Sequence, residues 1–366
     1  MQKLLSTVKL KKYFPMPKRS LFSRERPYLR ANEEISLDIR QGETFGLVGE
    51  SGCGKSTFGR TLLGLYKPTS GKTLYYGQTL RQFMPAYAKK LSDTAEEFSD
   101  GGIDLTRLTG EEMRRLRRDL QIIFQDPYSS LDPRMTVGQI IEEGVATHKF
   151  FKRGSTEMRE YVLKVMKDCG LQGYMLHRYP HQFSGGQRQR ICIARALAVK
   201  PKFVVCDECV SALDVSIQSQ ILNLLSELKE KEGLTYLFIS HDLSVVRYIS
   251  DRIGVMYLGQ IVEQGDAETL FSQPRHPYTV ALLSAIPTTE SVQEEKIILK
   301  GHMPSPVCPP AGCRFHTRCF MAQEICRRIP PPAVELEKGH FAACHFADIE
   351  TEEKRRIALD RQRKQP

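Results

Sequence analysis

A glycine-rich segment near the beginning of the chain has the residue types and spacing that bind a phosphate chain. Residues 49–57 match the pattern G-x-x-x-x-G-K-[ST], in which glycines let backbone N–H groups turn towards phosphate oxygens. Lys55 would neutralise the outer phosphates of a nucleoside triphosphate, and the Ser56 hydroxyl would bind Mg²⁺. We therefore predict a site for ATP and Mg²⁺, with candidate ligands Gly49, Ser51, Gly52, Gly54, Lys55, Ser56 and Thr57.

Two neighbouring carboxylates follow a short apolar run much later in the chain. Residues 203–206 are Phe-Val-Val-Cys, a run typical of a buried strand, and Asp207 and Glu208 come directly after it. We expect this strand to lie beside the phosphate loop. Asp207 would then reach the Mg²⁺ shell through water, and Glu208 would accept a proton from the attacking water. These residues predict hydrolysis of the bound nucleotide.

Alternating strand and helix patterns surround these two segments. Strands are predicted at residues 35–39, 45–48, 120–124, 203–206 and 236–239, and helices at residues 57–65, 111–118 and 187–199. Residues 128–182 are predicted to be largely helical, with breaks at Pro133, Gly154 and Gly173. Strands that alternate with helices imply an α/β fold with a mostly parallel sheet.

A second helix start with anion-binding character lies between these strands. Residues 183–187 are Phe-Ser-Gly-Gly-Gln, and the candidate ligands are Ser184, Gly185, Gly186 and Gln187. The segment resembles the signature motif of ATP-binding cassette (ABC) ATPases. That resemblance implies a P-loop NTPase cassette with a parallel core, an antiparallel edge and a helical subdomain. It also implies a head-to-tail dimer, in which this helix start faces the γ-phosphate of a nucleotide held by another ATPase subunit.

The remaining cassette positions match the family in order. Gln125 resembles the glutamine that contacts Mg²⁺ and the attacking water and senses the membrane partner. Asp214 ends a Ser-Ala-Leu-Asp segment that resembles the loop crossing the dimer interface, and His241 resembles the histidine that touches the γ-phosphate. For the aromatic residue that stacks on adenine, the spacing favours Phe14 over Tyr13, although this basic stretch could instead form a surface loop.

Several longer stretches resemble one group of ABC subunits, the ATPases of oligopeptide and dipeptide permeases. They are residues 49–57, 124–133, 210–216 and 275–279, the last reading Arg-His-Pro-Tyr-Thr. The resemblance implies import of peptides, or of nickel or another small solute, delivered by an external binding protein to two membrane permease subunits. Two features depart from the family: residues 78–104 form a longer connection than usual, and Cys209 replaces a proline. Neither departure removes a catalytic group.

Five of the ten cysteines crowd into the last part of the chain. The candidate ligand set is Cys313, Cys319, Cys326 and Cys344, with Cys308 and three histidines (His316, His340 and His345) as spare ligands. Thiols stay reduced in the cytosol, so a metal site is a better interpretation than disulfides. The residues alone leave open a [4Fe–4S] cluster, zinc or unliganded thiols. The family resemblance implies an iron–sulfur cluster in some members.

Composition narrows the class of protein and its location. The 366-residue chain has no apolar run long enough to span a bilayer and no apolar signal segment, so we expect it at the cytoplasmic face of a membrane. Its formal charge of +10 fits solubility or an anionic ligand or surface, and no nucleic-acid module accompanies it, so no nucleic-acid partner is expected. We place a cassette at residues 1–270 and a Cys/Pro-rich extension at residues 271–366.

The sequence argues against two functions other than a transport ATPase. A soluble cassette ATPase acting on nucleic acid usually has two cassettes or large insertions, whereas this chain has one cassette. A binding module with a dead site would not need Lys55, Asp207, Glu208 and His241, all of which are present.

Overall fold

The computed structural model describes residues 2–18, 26–78, 102–286 and 295–363. Its strands are β1 (Lys3–Pro15), β2 (Tyr28–Arg40), β3 (Thr44–Val48), β4 (Ser70–Tyr75), β5 (Ile103–Asp104), β6 (Leu120–Ile123), β7 (Phe203–Asp207), β8 (Thr235–Ile239), β9 (Arg252–Tyr257), β10 (Gln260–Asp266), β11 (Val334–Glu337) and β12 (His340–Ala342). Its α-helices are α1 (Lys55–Leu62), α2 (Gly110–Leu116), α3 (Val137–Thr147), α4 (Thr156–Asp168), α5 (Gly185–Leu197), α6 (Val215–Glu232), α7 (Leu243–Ile249), α8 (Ala267–Ser272), α9 (Pro277–Leu283), α10 (Glu324–Arg328) and α11 (Thr351–Arg363).

The central sheet has eight strands in the order β11-β12-β10-β9-β3-β8-β7-β6. Strands β9, β3, β8, β7 and β6 pair in parallel, whereas β10, β11 and β12 pair antiparallel at one edge. The short apolar runs explain the parallel part, because every residue of β3, β7 and β8 is buried. The predicted α/β class, with a mostly parallel core and an antiparallel edge, is confirmed.

A second sheet, with the order β2-β1-β4-β5, is antiparallel throughout. Its apolar face packs on the side of the central sheet that carries α1, and buried residues of both sheets form one cluster that includes Leu5, Phe45 and Phe58. Truncating one such buried side chain to alanine would cost about 2–5 kcal/mol of stability. This packing fixes the strand that precedes the phosphate loop and the helix that follows it.

Residues between β6 and α5 carry α3 and α4, as the sequence predicted for a largely helical region. Helix α3 begins with a capping box, in which the Thr136 hydroxyl accepts from Gln139 N and the Gln139 side chain accepts from Thr136 N. Buried aliphatic side chains of α3, α4 and α5 join the larger core cluster. The predicted excursion at residues 78–104 lies, except for its two ends, outside the described residues.

The C-terminal part of the chain is joined to the cassette by β-sheet pairing. Strand β12 pairs with β10, through Ala342 opposite Glu263 and Phe341 opposite Gln264, so the central sheet continues into this part. Sequence analysis did not predict these short strands or helix α11, because the region is rich in proline and cysteine. In the part of the chain that the structure describes, no helix combines the length and the apolar character that a membrane crossing requires.

Candidate functional site

The phosphate loop connects β3 to α1 and lines a cavity of about 260 Å³. Residues 51–57 form one wall, Gln125 and Glu208 form another, and Leu29, Arg30, Ala31, Leu258, Gly259 and Pro306 complete the lining. Glycine is required in the loop: Gly54 has φ 109°, and a Cβ built on it would lie 2.2 Å from the Ala31 carbonyl oxygen. The loop therefore presents backbone and the N-terminal end of α1 to the cavity, which suits a polyphosphate.

The Lys55 ammonium is hydrogen-bonded to the backbone of the loop that contains it. The ammonium donates to the Gly49 carbonyl at 2.7 Å and to the Glu50 carbonyl at 3.1 Å, and the residue is only 4% exposed. A buried ammonium that is fixed by backbone carbonyls is preorganised for phosphate oxygens, because little reorganisation is needed when they arrive. Ser56 lines the same cavity, next to Lys55.

Asp207 has one oxygen available for a cation shell. Its Oδ2 accepts from the Arg60 guanidinium at 3.2 Å, whereas Oδ1 is buried and has no hydrogen-bond partner among the described residues. A buried oxygen of this kind is costly unless a ligand satisfies it. Asp207 and Ser56 both offer oxygen atoms, which suit Mg²⁺ because it prefers oxygen ligands and bound water, although only Ser56 is among the residues that line the cavity. Arg60 was not predicted, since nothing in the sequence indicates its ion pair.

Glu208 lies at the meeting point of three predicted site residues. Gln125 Nε2 donates to Glu208 Oε2 at 3.0 Å, and His241 Nδ1 lies 3.5 Å from the same oxygen. Lys55 Nζ lies 4.0 Å from Glu208 Oε1. The structure thus brings together four residues that are far apart in sequence. A carboxylate in this position, beside the phosphate loop, has the geometry of a general base for an attacking water.

The backbone of Glu208 has a positive φ of 49°, which is uncommon for a residue other than glycine. Its N–H donates to the Ile239 carbonyl at 3.0 Å, and its carbonyl accepts from the Ser211 hydroxyl at 2.9 Å. These bonds hold a conformation that costs on the order of 1–3 kcal/mol and that turns the side chain into the cavity. Cys209, the departure from the family, is buried directly behind it at 2% exposure.

The signature residues form a separate surface. We use signature tip for Ser184, Gly185 and Gly186, at the beginning of α5. The Ser184 hydroxyl accepts from Gln187 N and the Gln187 side chain accepts from Ser184 N, a capping box. Ser184 and Gly185 are exposed and do not line the cavity of their own chain. Asp214, which precedes α6, is exposed as well.

Phe14 lies apart from the phosphate cavity. On β1, its ring makes an edge contact with Tyr66 at 5.5 Å, and Lys12 Nζ lies 4.7 Å from the ring centre. The neighbouring Tyr13 donates its hydroxyl to Glu33 Oε1 at 2.5 Å. The stacking role of Phe14 stays a prediction.

The four C-terminal cysteines share one neighbourhood, in which Cys326 is buried and Cys313, Cys319 and Cys344 are half-buried. Burial raises the pKa of the Cys319 thiol far above its usual range, and a thiolate at Cys344, Cys313 or Cys326 would raise it further. Burial, and then the charges of Cys313 and Cys326, raise the pKa of Cys344 to about 11. Among the described residues, no three His, Cys, Asp or Glu side chains are arranged as ready ligands for a metal ion. The exposed Cys308 does not belong to this neighbourhood.

The sheet order, the phosphate loop and the acidic strand end define a P-loop ATPase. Residues 32–211 match the family model for "ABC transporter", and residues 262–326 match the model for "Oligopeptide/dipeptide transporter, C-terminal region". The chain is 48% identical over 341 residues to the oligopeptide transport ATP-binding protein AppF of Bacillus subtilis. The aligned region covers 92% of this chain and 95% of AppF. The chain therefore belongs to the ABC transporter family, as one of its ATP-hydrolysing, ATP- and Mg²⁺-dependent subunits.

Two solved structures resemble the cassette. A dimeric, post-hydrolysis structure of the ATP-binding cassette MJ0796 with ADP and Pi is 27% identical, with a TM-score of 0.58 over 72% of this chain and 99% of that one. CbiO1 from Clostridium perfringens, part of the ABC transporter complex cbiONQ, is 26% identical, with a TM-score of 0.57 over 74% of this chain and 92% of that one.

Proposed function

We propose that this chain powers import of dipeptides or oligopeptides through two membrane permease subunits at the cytoplasmic face of the membrane, with an external binding protein delivering the solute. The observation that carries the proposal is the match of residues 262–326 to the C-terminal region of oligopeptide/dipeptide transporters, together with the full-length likeness to AppF. No comparison favours nickel, another small solute or a soluble ATPase acting elsewhere.

The catalytic assignments follow the geometry of the cavity. Glu208 accepts the proton of the attacking water, and Gln125 and His241, which both lie near Glu208 Oε2, orient that water and the γ-phosphate. Lys55 binds the β- and γ-phosphates, and Ser56, Gln125 and Asp207 hold Mg²⁺, directly or through water. Bound Mg²⁺ supplies charge neutralisation of the phosphates.

A head-to-tail dimer with a second ATPase subunit, a copy or a paralogue, completes each site. The support is the exposed signature tip: its capped helix start presents free N–H groups outward and contributes nothing to the cavity of its own chain. Beside it, Asp214 and Val215 are exposed as well. The similar cassette MJ0796 is dimeric in a post-hydrolysis state with ADP and Pi, which supports a dimer here as well.

Contact with the permeases is proposed near Gln125, in the helical region of residues 128–182. Gln125 donates a hydrogen bond to Glu208. Three residues further along the chain, Tyr128 is 66% exposed at the surface. A movement of this surface would reach the catalytic carboxylate directly. We keep the division into a cassette at residues 1–270 and an extension at residues 271–366 as part of the proposal.

Reconstitution of the transporter tests the solute class. We expect proteoliposomes that contain this chain, a second ATPase subunit and two permease subunits from the same organism to take up a labelled tripeptide in an ATP-dependent manner when a binding protein is added. A matched complex carrying Glu208→Gln should give no uptake. Uptake of Ni²⁺ without uptake of peptide would contradict the peptide assignment and leave the importer assignment intact.

The cysteine neighbourhood is proposed to hold a [4Fe–4S] cluster, with zinc as the alternative. Burial, above all, raises the pKa of Cys319 and of Cys344, and a bound cation would stabilise the thiolates that burial disfavours. We expect anaerobically purified protein to be brown and to absorb at about 400 nm. Cys319→Ser should lose colour and iron, whereas the matched control Cys308→Ser, at an exposed cysteine, should keep both. Colourless wild-type protein with neither iron nor zinc would end this proposal.

A further inference from the structure

The second residue of the phosphate loop, Glu50, is held by two residues from the C-terminal part of the chain. Arg318 Nη1 lies 2.9 Å from Glu50 Oε1 and 3.0 Å from Glu50 Oε2, and the Arg318 side chain is only 8% exposed. From another direction, the Glu50 N–H donates to the Tyr278 hydroxyl at 2.9 Å. Both the side chain and the backbone of Glu50 are therefore fixed from outside the loop.

Tyr278 is itself held rigidly, by the His-Pro-Tyr segment. His276 Nδ1 accepts from Tyr278 N at 3.0 Å, which caps α9, and His276 N donates to buried Glu263 at 2.8 Å. Burial lowers the pKa of His276 to about 4, so the ring stays neutral and Nδ1 remains an acceptor. The Tyr278 ring packs 4.8 Å from Tyr257 and 5.3 Å from Phe315, so its hydroxyl has a fixed position.

Glu50 connects these contacts to the phosphate-binding ammonium. Its carbonyl accepts from Lys55 Nζ at 3.1 Å, as the Gly49 carbonyl does at 2.7 Å, and Cys53 Sγ is a longer contact at 3.9 Å. A shift of Glu50 would therefore move a carbonyl that fixes the position of the Lys55 ammonium. Preorganised groups bind more tightly than groups that must be ordered when the ligand arrives.

We propose that Tyr278 and Arg318 are positioning residues for nucleotide binding: by fixing Glu50 from the C-terminal region, they set Lys55 to receive the β- and γ-phosphates. The proposal explains the His-Pro-Tyr segment, which the catalytic assignments leave without a role. Its ligand selectivity follows from Lys55. The binding affinity of nucleotides with β- or γ-phosphates depends on Tyr278 and Arg318. The affinity for AMP, which has neither of these phosphates, does not.

Calorimetric titration of the full-length chain with a non-hydrolysable ATP analogue tests the pair. We expect Arg318→Ala to weaken binding about tenfold and Tyr278→Phe about threefold, since a charged hydrogen bond is worth more than a neutral one. Binding of AMP should stay unchanged in both variants. The matched controls are Arg328→Ala, whose ion pair with Glu324 is exposed, and Tyr174→Phe, at a residue that is 65% exposed. Both controls should bind the analogue as wild type does.

Two further variants separate positioning from a structural role. Arg318→Lys keeps a charge that can reach the Glu50 carboxylate and should restore most of the affinity. In a Glu50→Gln background, Arg318→Ala should add little, because the pair acts through Glu50. All affinities are measured at a temperature at which melting curves show every variant folded. Unchanged analogue affinity in Arg318→Ala, equal losses for AMP and the analogue, or additive losses in the double variant would each overturn the proposal.

Discussion

Replacement of Glu208 by glutamine is expected to stop ATP hydrolysis while ATP still binds. The amide is isosteric, and its carbonyl oxygen can still accept from Gln125 Nε2, which lies 3.0 Å from Glu208 Oε2 in the wild type. The amide cannot take the proton of the attacking water, so the turnover rate should fall about 10²–10⁴-fold. Phosphate release measures the rate, and titration with ATP measures the affinity, which should stay close to the wild-type value.

Glu111→Gln provides the matched control for this prediction. The Glu111 side chain is 80% exposed and pairs with Arg115 on the surface of α2, so the same chemical change should leave the rate unaltered. A Glu208→Gln variant that keeps more than about a tenth of the wild-type rate would show that another group accepts the proton. Loss of ATP binding in that variant would instead give Glu208 a structural role in the loop.

Sequence analysis predicted the parts of the site that are formed by residues adjacent in the sequence. The phosphate loop depends on spacing over residues 49–57, and the acidic pair follows an apolar run that is buried throughout as β7. Helix α5 was predicted at residues 187–199 from the local sequence, and the structure places it at Gly185–Leu197, where Ser184 and Gln187 form a capping box at its start. In each case neighbouring residues carry both the structural signal and the chemical one.

Contacts between distant segments could not be predicted in this way. Arg318 and Glu50 are separated by 268 positions, and neither residue type at its place suggests the other. The same holds for Arg60 and Asp207, 147 positions apart. Strand β12 was missed because it is three residues long and is stabilised by pairing with β10 rather than by its own pattern. Such features depend on tertiary packing, which overrides local propensity.

The cysteines show an intermediate case. Sequence clustering selected Cys313, Cys319, Cys326 and Cys344, and the structure gives these four a common electrostatic neighbourhood while leaving Cys308 exposed. The spacing alone could not choose between a cluster, zinc and free thiols, because the identity of a bound metal depends on ligand geometry and on the environment of each sulfur.

Substitution of Gly185 by aspartate is expected to abolish hydrolysis in the assembled ATPase without weakening ATP binding to the isolated chain. In the proposed dimer, the signature tip faces the γ-phosphate of the neighbouring subunit. A carboxylate there would repel the phosphate and displace the N–H donors, and loss of one such donor alone costs about 10²–10³-fold in rate. The substitution fits the fold, because a Cβ built on Gly185 would lie 3.6 Å from Leu213 Cδ2, an ordinary contact.

Gly110→Asp is the matched control, since Gly110 is also the first residue of a helix that begins with a capping box, and a Cβ built there has nothing within 4 Å. We expect this control to hydrolyse ATP at the wild-type rate. Two measurements decide the outcome: phosphate release by the assembled ATPase, and ATP affinity of the isolated chain. If Gly185→Asp weakens ATP binding to the isolated chain as strongly as it slows hydrolysis, the signature tip serves the site of its own chain. If hydrolysis continues unchanged, the tip faces no γ-phosphate at all, and the shared-site dimer is wrong.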